Sequence, residues 1–373
     1  MADTPATPTA VSVPTVAIVF NHVGVDEYIA LKQVDPASLD FTPEYPIDVA
    51  TVLEEYEAVR DALNEAGCRA ELFNVEDDVD KLIAYLRQRR PDVVFNLVEY
   101  LRDESGLEVA VAGLYELLQV PYTGAGPLAL GLCQRKGTTK QLLLANGVRT
   151  PRFHLLNGPT LRRRHGLHFP MIVKPSREDA STGVEADSVV YDPVKLHERI
   201  AYCYEEYGAP VLVEEFIEGR ELHIAVLGND PPVALPLLEY EMSGLPAHLP
   251  RIISYASKWD PLQEEYHHVH SVCPAKVTRA VARRARDAAL AAYHLTNCRD
   301  YARIDARLSK DGKVYILEVN PNPDLTEDVS FMESAAAADM TFGQTLRAIV
   351  DMALERRPEP PAGEVSPETP VAT

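Results

Sequence analysis

Apolar positions in the first third of the chain alternate between short continuous runs and helical stripes. Residues 16–20 (VAIVF) form a run of strand type. Between 50 and 66, Val52, Leu53, Tyr56, Val59 and Leu63 repeat at helical spacing, and Gly67 supplies the stop. Residues 69–73 predict the next strand, 79–89 a helix with a basic end, and 92–97 (DVVFNL) a buried strand. A helix over 107–118 then leads to an apolar segment at 120–122. Strands alternating with helices predict a parallel sheet covered on both faces, so residues 14–130 read as one α/β domain.

The pattern changes after Gly126. A helix over 136–145 precedes Pro151, a strand is predicted at 171–174, and 177–183 is a polar loop ending in glycine. A helix follows at 193–207, then strands at 211–216, 222–227 and 233–239, a long loop, and a helix over 276–295. Tyr293 and His294 on that last helix read as packing residues.

The next stretch, from Arg303 to Asn320, carries the most chemistry. Asp311-Gly312 is a strong hairpin signal. A two-residue turn there pairs Lys310 with Lys313, Asp305 with Glu318 and Arg303 with Asn320. Residues two apart on a strand share a face, so all four polar groups project to one place. Ile304, Leu317 and Val319 then form the core face. Two opposed carboxylates destabilise a sheet unless a cation holds them together. Hard oxygen ligands of this kind suit Mg²⁺ bridged to phosphates. The same face on an exposed hairpin would simply be solvated, and the register holds only for an even-numbered loop.

Length and charge narrow the classes. A chain of 373 residues suits two or three packed domains. A formal net charge of −20 argues against a nucleic-acid partner, though a nucleotide needs only a few local cations. The apolar runs are too short to predict a membrane span. Residues 1–13 and 358–373 are rich in Pro, Thr and Ala and read as a disordered arm and tail. Five scattered cysteines without a C-x-x-C suit a reducing cytoplasm. His267, His268, His270 and Cys273 read as part of a covering loop and the strand after it, not as a metal site.

Several segments together resemble the D-alanine–D-alanine ligases of the ATP-grasp superfamily. They are Lys174-Pro-Ser-Arg-Glu-Asp-Ala-Ser-Thr-Gly183, Arg303-Ile-Asp305, Glu318-Val-Asn320-Pro-Asn-Pro323, Phe95-Asn96 and Pro121-Tyr-Thr-Gly124. The resemblance spans about residues 16–355 in the same order. It implies a central domain (131–212) and a C-terminal domain (213–357) that clamp ATP between two antiparallel sheets. It also implies an ADP-forming reaction in which a carboxylate attacks the γ-phosphate and an amine attacks the resulting acyl phosphate.

Each role below is likewise implied by the resemblance. Lys136 and Lys174 reach the ATP phosphates. Glu214, Glu215 and Ile217 hold the adenine and ribose, with Glu221 on the ribose hydroxyls. Asp305, Glu318 and Asn320 hold two Mg²⁺ ions, or Mn²⁺ in their place. Arg303 stabilises the oxyanion, and Lys258 sits on a mobile loop over the γ-phosphate. Residues 177–183 and 253–268 are the expected lids. Members of the family are often dimeric through the N-terminal domain, and a homodimer is carried over as an expectation.

The resemblance weakens where amino acids should bind. The family's first-helix glutamate has no clear counterpart; the nearest alignment falls at residues 48–50, after a long segment from 21 to 46. Its Phe-Asn-x-x-His pattern becomes Phe95-Asn-Leu-Val-Glu99, and Ala180 replaces a serine. After the hairpin, Asp324, Glu327 and Asp328 stand in altered sequence, and Ser330, expected on the second substrate's carboxylate, comes one place late. Extra negative charge from Glu99, Glu327 and Asp328 would favour a substrate with a second amine, or a peptide amine. Three functions therefore stand: a ligase for another amino acid or short peptide, a cell-wall D-alanine–D-alanine ligase, and a nucleotide-binding protein without catalysis. Arg303 argues against the last, since binding alone needs no oxyanion arginine.

Overall fold

The computed structural model describes residues 13–26, 28–179 and 181–357. The expected disordered arm, up to residue 12, and the tail from 358 lie outside the described residues, as does Ala180.

Strand β1 (Thr15–Phe20) is followed by a short helix α1 (Tyr28–Leu31), α2 (Val52–Glu65), β2 (Arg69–Asn74), α3 (Val79–Arg89), β3 (Val93–Leu97) and α4 (Glu108–Leu117). The sheet is parallel, in the order β2-β1-β3, as the alternation predicts. Helix α2 begins with a capping box between Thr51 and Glu54, which satisfies backbone donors that have no partner within the helix. That cap sets the direction in which its first turn faces. The segment at 120–122 adds only a parallel bridge, Val94 to Tyr122.

Helices α5 (Pro127–Cys133) and α6 (Lys136–Ala145) lead into a second sheet. It contains β4 (Phe153–Leu156), β5 (Met171–Pro175), β6 (Val189–Val190) and, after helix α7 (Pro193–Tyr207), β7 (Val211–Glu215). Its antiparallel order is β4-β7-β5-β6.

The third sheet holds β8 (Gly219–Leu227), β9 (Val233–Ala234), β10 (Leu238–Glu241), β11 (His270–Val272), β12 (Tyr301–Ser309) and β13 (Val314–Asn320). Its antiparallel order is β11-β10-β8-β12-β13, with β9 beside β8. The strand expected over 233–239 is two pieces, β9 and β10, both paired with β8. Pro236 lies between them and has no N–H to give to a ladder. The expected long loop contains two short helices, α8 (Tyr255–Trp259) and α9 (Glu264–His267).

Helix α10 (Arg279–Leu295) packs on this sheet, with Ala285, Ala289, Ala292 and Tyr293 buried against Ile224, Ile304 and Ile316. Helices α11 (Ser330–Ala336) and α12 (Phe342–Leu354) close the chain. Their Phe331, Leu346, Ile349 and Val350 share one core with Ile18 and Phe95 of the first sheet and Leu63 of α2. The N-terminal sheet is thus fastened to the C-terminal helices. A second tie joins Pro121-Tyr-Thr-Gly124 to the loop after β13: Ala125 N donates to Asn322 Oδ1 at 2.9 Å. Gly124 allows it, because a Cβ there would lie 2.3 Å from Asn322 Oδ1 and its φ is +83°.

Candidate active site

The hairpin of β12 and β13 pairs Arg303 with Asn320 and Asp305 with Glu318, as the sequence predicts, but by a different route. The loop contains three residues, Lys310, Asp311 and Gly312. Ser309 N donates to Lys313 O, and Gly312 N donates to Ser309 O, both at 2.9 Å. Gly312 takes the left-handed conformation, with φ +77°, that such loops require. The pairs next to the loop, from Leu308–Val314 to Ala306–Ile316, are therefore one residue out of the predicted register. A bulge at the Asp305/Ala306 step, with Leu317 as the extra residue, restores it. The bulge also corrects the expected core face. Ile316 and Val319 are buried, whereas Leu317 lines the cavity beside Glu318.

Arg303 grips Asp305 with two hydrogen bonds, Nε to Oδ1 at 2.7 Å and Nη2 to Oδ2 at 2.9 Å. Asn320 Nδ2 donates to Asp305 Oδ2 at 2.9 Å. Burial pushes the Asp305 carboxyl up, but Arg303 and then His223 outweigh it and bring its pKa down to about 2. Asp305 is thus a carboxylate at any ordinary pH. Asp305, Glu318 and the Asn320 amide oxygen offer hard oxygen donors on one wall, a set that fits Mg²⁺ with its remaining positions left to water and phosphate.

Lys136, Lys174 and Glu318 line one cavity of about 680 Å³ together with Arg303, Asp305, Glu214, Glu221 and Lys258. Lys136 opens α6, and its ammonium lies 2.6 Å from Asp179 and 3.6 Å from Glu318. Burial opposes this charge, but Glu318 and Asp179 more than offset it and hold the pKa above the usual lysine value. Glu214, on β7, lies between Lys140 at 2.8 Å and Lys174 at 3.1 Å. Burial raises the Glu214 pKa, and the two lysines reverse that to a net lowering. Glu215 commits its carboxylate to His168 at 2.8 Å and Arg152 at 3.5 Å, neither of which lines the cavity. Ile217, Phe216, Ile172, Ile252 and Leu317 supply an apolar part of the wall.

Sequence reasoning passed over three residues of this wall and one buried directly behind it. Lys140 lies one helical turn beyond Lys136 and is 1% exposed, which the i, i+4 spacing could have suggested. Arg307 continues the face of Arg303 and Asp305; it holds Glu221 at 2.8 Å and stacks over Phe216 at 4.8 Å. Strand alternation alone could have found it. His223 and Tyr240 come from neighbouring strands, and no local pattern marks them. The His223 ring bridges Ser330 Oγ at 3.1 Å and Asp305 at 3.6 Å.

The two expected lids touch each other. Ser181 Oγ donates to Ile253 O at 3.3 Å, and Tyr255 N to Val184 O at 2.9 Å. Lys258 extends from α8 over the Trp259 ring at 4.6 Å. Burial and then Arg303 lower its pKa. The long segment between 21 and 46 rests on this cover, since Tyr45 N donates to His267 Nδ1 at 3.1 Å and Phe41 packs on the His267 ring. Tyr45 Oη also hydrogen-bonds His270 Nδ1, so His267 and His270 are both used in holding the cover.

The amino-acid side separates the expected acids. Glu327 and Asp328 are exposed on the rim of the large cavity. Glu99 lies in an adjoining cavity of about 450 Å³ that shares Lys258, Trp259, Asp324 and Thr326 with it. There Glu99 meets Asp324 and Glu55, the latter on the first turn of α2. The counterpart expected near residue 48 is not a carboxylate in either cavity; Glu55 provides one instead.

Two antiparallel sheets around a lysine- and carboxylate-lined cavity, beside a parallel-sheet domain, define an ATP-grasp protein. The solved D-alanine–D-alanine ligase of Bacillus anthracis complexed with ATP superposes with a TM-score of 0.69 at 21% identity, covering 92% of this chain and 98% of its own. The family model described as D-ala D-ala ligase C-terminus matches residues 154–351. A D-alanine–D-alanine ligase of Desulforudis audaxviator is 34% identical over 303 residues, covering 80% of this chain and 92% of its own length. An uncharacterized protein of Sinorhizobium fredii is 33% identical over 302 residues, covering 79% and 86%. The chain belongs to the D-alanine–D-alanine ligase family and is an ADP-forming carboxylate–amine ligase of the ATP-grasp class.

Proposed function

We propose that the protein joins an amino-acid carboxylate to an amine other than that of D-alanine, through an acyl phosphate. The observation that carries this reading is the contrast between a complete ATP and metal wall and a rewritten amino-acid wall. Lys136, Lys174 and Lys258 would spread the charge of the transferring phosphoryl group. Asp305, Glu318 and Asn320 would hold Mg²⁺, which supplies charge neutralisation at the phosphates. Glu221 and Ile217 would bind the ribose and adenine.

The donor carboxylate oxygen forms a bond to the γ-phosphorus, and ADP leaves with the electron pair of the broken P–O bond. The acceptor nitrogen then attacks the acyl carbon. Arg303 lies beside Asp305 where it can stabilise the resulting oxyanion. Inorganic phosphate departs with its bonding pair, and the nitrogen loses a proton. The lids, with the 21–46 segment packed on them, exclude water that would otherwise hydrolyse the acyl phosphate. Ser330, buried and held by His223, would bind the acceptor carboxylate.

A second reading is D-alanine–D-alanine synthesis itself, favoured by the printed activity of relatives such as that of Desulforudis audaxviator. Phosphate release from ATP and Mg²⁺, measured across single and paired amino acids with product mass, decides between them. Release with D-alanine alone, giving the dipeptide mass, establishes the second reading. Release only with another pair establishes the first.

A further inference from the structure

The 450 Å³ cavity beside the reaction centre is polarised. Among the described residues of its wall, Lys258 is the one cationic side chain, whereas Glu55, Glu99 and Asp324 are three carboxylates. No ion pair satisfies any of the three among the described residues. Thr326 N donates to Asp324 at 2.8 Å, and Thr326 also supports Glu55. Glu99 has no hydrogen bond to its carboxylate among the described residues and faces the cavity. Burial, and then Asp324, push the pKa of both Glu55 and Glu99 up to about 7.

Glu99 is exposed to the space of the cavity, and Glu55 and Asp324 are half-buried on the same wall, so their like charges repel one another and a bound cation would relieve that repulsion. A second, independent sign of a ligand is Asn96, only 3% exposed on the same wall. Its Oδ1 takes the Tyr115 hydroxyl at 3.2 Å, while its amide nitrogen has no hydrogen-bond partner among the described residues. Whichever way the amide is turned, the Tyr115 hydroxyl can donate or accept, and the other end is left for a ligand.

Apart from Asn322, the rest of the wall is apolar or aromatic, with Tyr28, Tyr56, Tyr255 and Trp259 among its rings. Such faces pack a methylene stem and attract an ammonium. The volume falls in the range of about 300–1,000 Å³ typical of small-molecule sites and is far larger than alanine needs. Lys258 stands where the two cavities join, so the end of the ligand that meets it is anionic. An acceptor amine brought to that point would face a like charge. A donor carboxylate would face the lysine that covers the phosphate.

We propose that this cavity holds the acyl donor and that the donor is a diamino carboxylic acid, with its carboxylate at Lys258, its stem along the tyrosines, and its two ammonium groups among Glu55, Glu99 and Asp324. This rests on the ligase reading above and names the substrate class of that site. With Lys258 taken by the ligand's carboxylate, the three protein carboxylates face only the ligand's ammonium groups, of which a diamino acid brings two and an ordinary amino acid one.

The test uses the full chain with ATP, Mg²⁺ and hydroxylamine in place of the acceptor. Hydroxylamine nitrogen attacks the acyl phosphate, phosphate leaves, and the hydroxamate reports the donor alone. The probes are ornithine and lysine in both configurations, norleucine as a stem without the second amine, and D-alanine. The expected result is a hydroxamate from a diamino acid, with kcat/KM about tenfold above norleucine, the loss of one partly solvated ammonium–carboxylate pairing. Glu99→Gln should collapse that ratio through KM, with kcat less affected; Glu55→Gln gives an independent second variant, and thermal unfolding of each shows that it is folded. Equal or better use of norleucine or D-alanine overturns the diamino assignment and leaves the ligase standing. An unchanged ratio in both folded variants overturns the role of these acids. ADP formation with none of the amino acids, while ATP binds, overturns the ligase reading and this inference with it.

Discussion

Around Glu214 and Glu318 each carboxylate faces a lysine within 4 Å; the Glu214 pairs are buried, Glu318 is partly so, and all are positioned by the sheets and α6. Around Glu99, three carboxylates share a cavity with one lysine, and none has an ion pair among the described residues. The first region carries its own counter-charges and is built before any ligand arrives. The second is left short of positive charge, which on our proposal a substrate brings. Preorganisation suits a ligand common to the whole ATP-grasp class, whereas an uncompensated wall selects by charge. The difference predicts that changes on the nucleotide side act on turnover or folding, and changes on the amino-acid side act on the choice of substrate.

The largest effect should come from Asp305→Asn, which removes Mg²⁺-dependent ADP formation while weak nucleotide binding persists; undiminished turnover would remove the metal role. Arg303→Ala should lower kcat by about 10²–10³, as loss of an oxyanion donor does. That variant also frees Asp305 from its bidentate partner, so a raised Mg²⁺ affinity at unchanged kcat would show that Arg303 serves only to hold Asp305.

Lys140→Met tests the compensated side through stability. Lys140 and Glu214 are each 1% exposed, and removing one partner of such a pair costs about 3 kcal/mol, at the lower end of the usual range because Lys174 remains. Urea unfolding measures it; no loss would mean that Lys174 alone satisfies Glu214.

A smaller effect reports the uncompensated side. Glu55 and Glu99 hold protons up to about pH 7 in the native chain, against an ordinary value of 4.5. Between those values the folded state binds more protons than the unfolded state, so stability falls as pH rises through the window. The ligand-free melting temperature should therefore decline from pH 4.5 to 7 more steeply than that of the Glu55→Gln/Glu99→Gln double variant. Equal slopes would place both acids in ordinary solvent. The smallest effect is expected at the exposed rim: Glu327→Gln should leave stability within about 0.5 kcal/mol and the diamino preference within about twofold. A larger change would extend the selective wall to Glu327.

Periodicity was enough for the parallel sheet and most helices, because a covered strand and an amphipathic helix each carry a local signature. It was also enough to bring Arg303, Asp305, Glu318 and Asn320 to one wall, though two departures cancelled on the way. An odd-numbered loop shifted the register by one, and the bulge at Leu317 shifted it back. Neither is legible in a binary pattern, since both depend on how the backbone fits its neighbours.

By itself, then, the sequence determined the class of protein, a set of lysines and carboxylates that the fold gathers around one cavity, and the suspicion that the amino-acid side had changed. Glu99 was legible in the sequence, but only the tertiary structure showed which acids share its cavity. Glu327 and Asp328 adjoin the hairpin in sequence but lie on the rim, while Glu55 of α2, Glu99 after β3 and Asp324 after β13 meet across 269 residues of chain. The same holds for Lys140 with Glu214 and Arg307 with Glu221. A charge's environment is set by what packs around it from distant parts of the chain. Local sequence specifies the charge but not its neighbours, and the neighbours decide whether it is solvated, paired or waiting for a ligand.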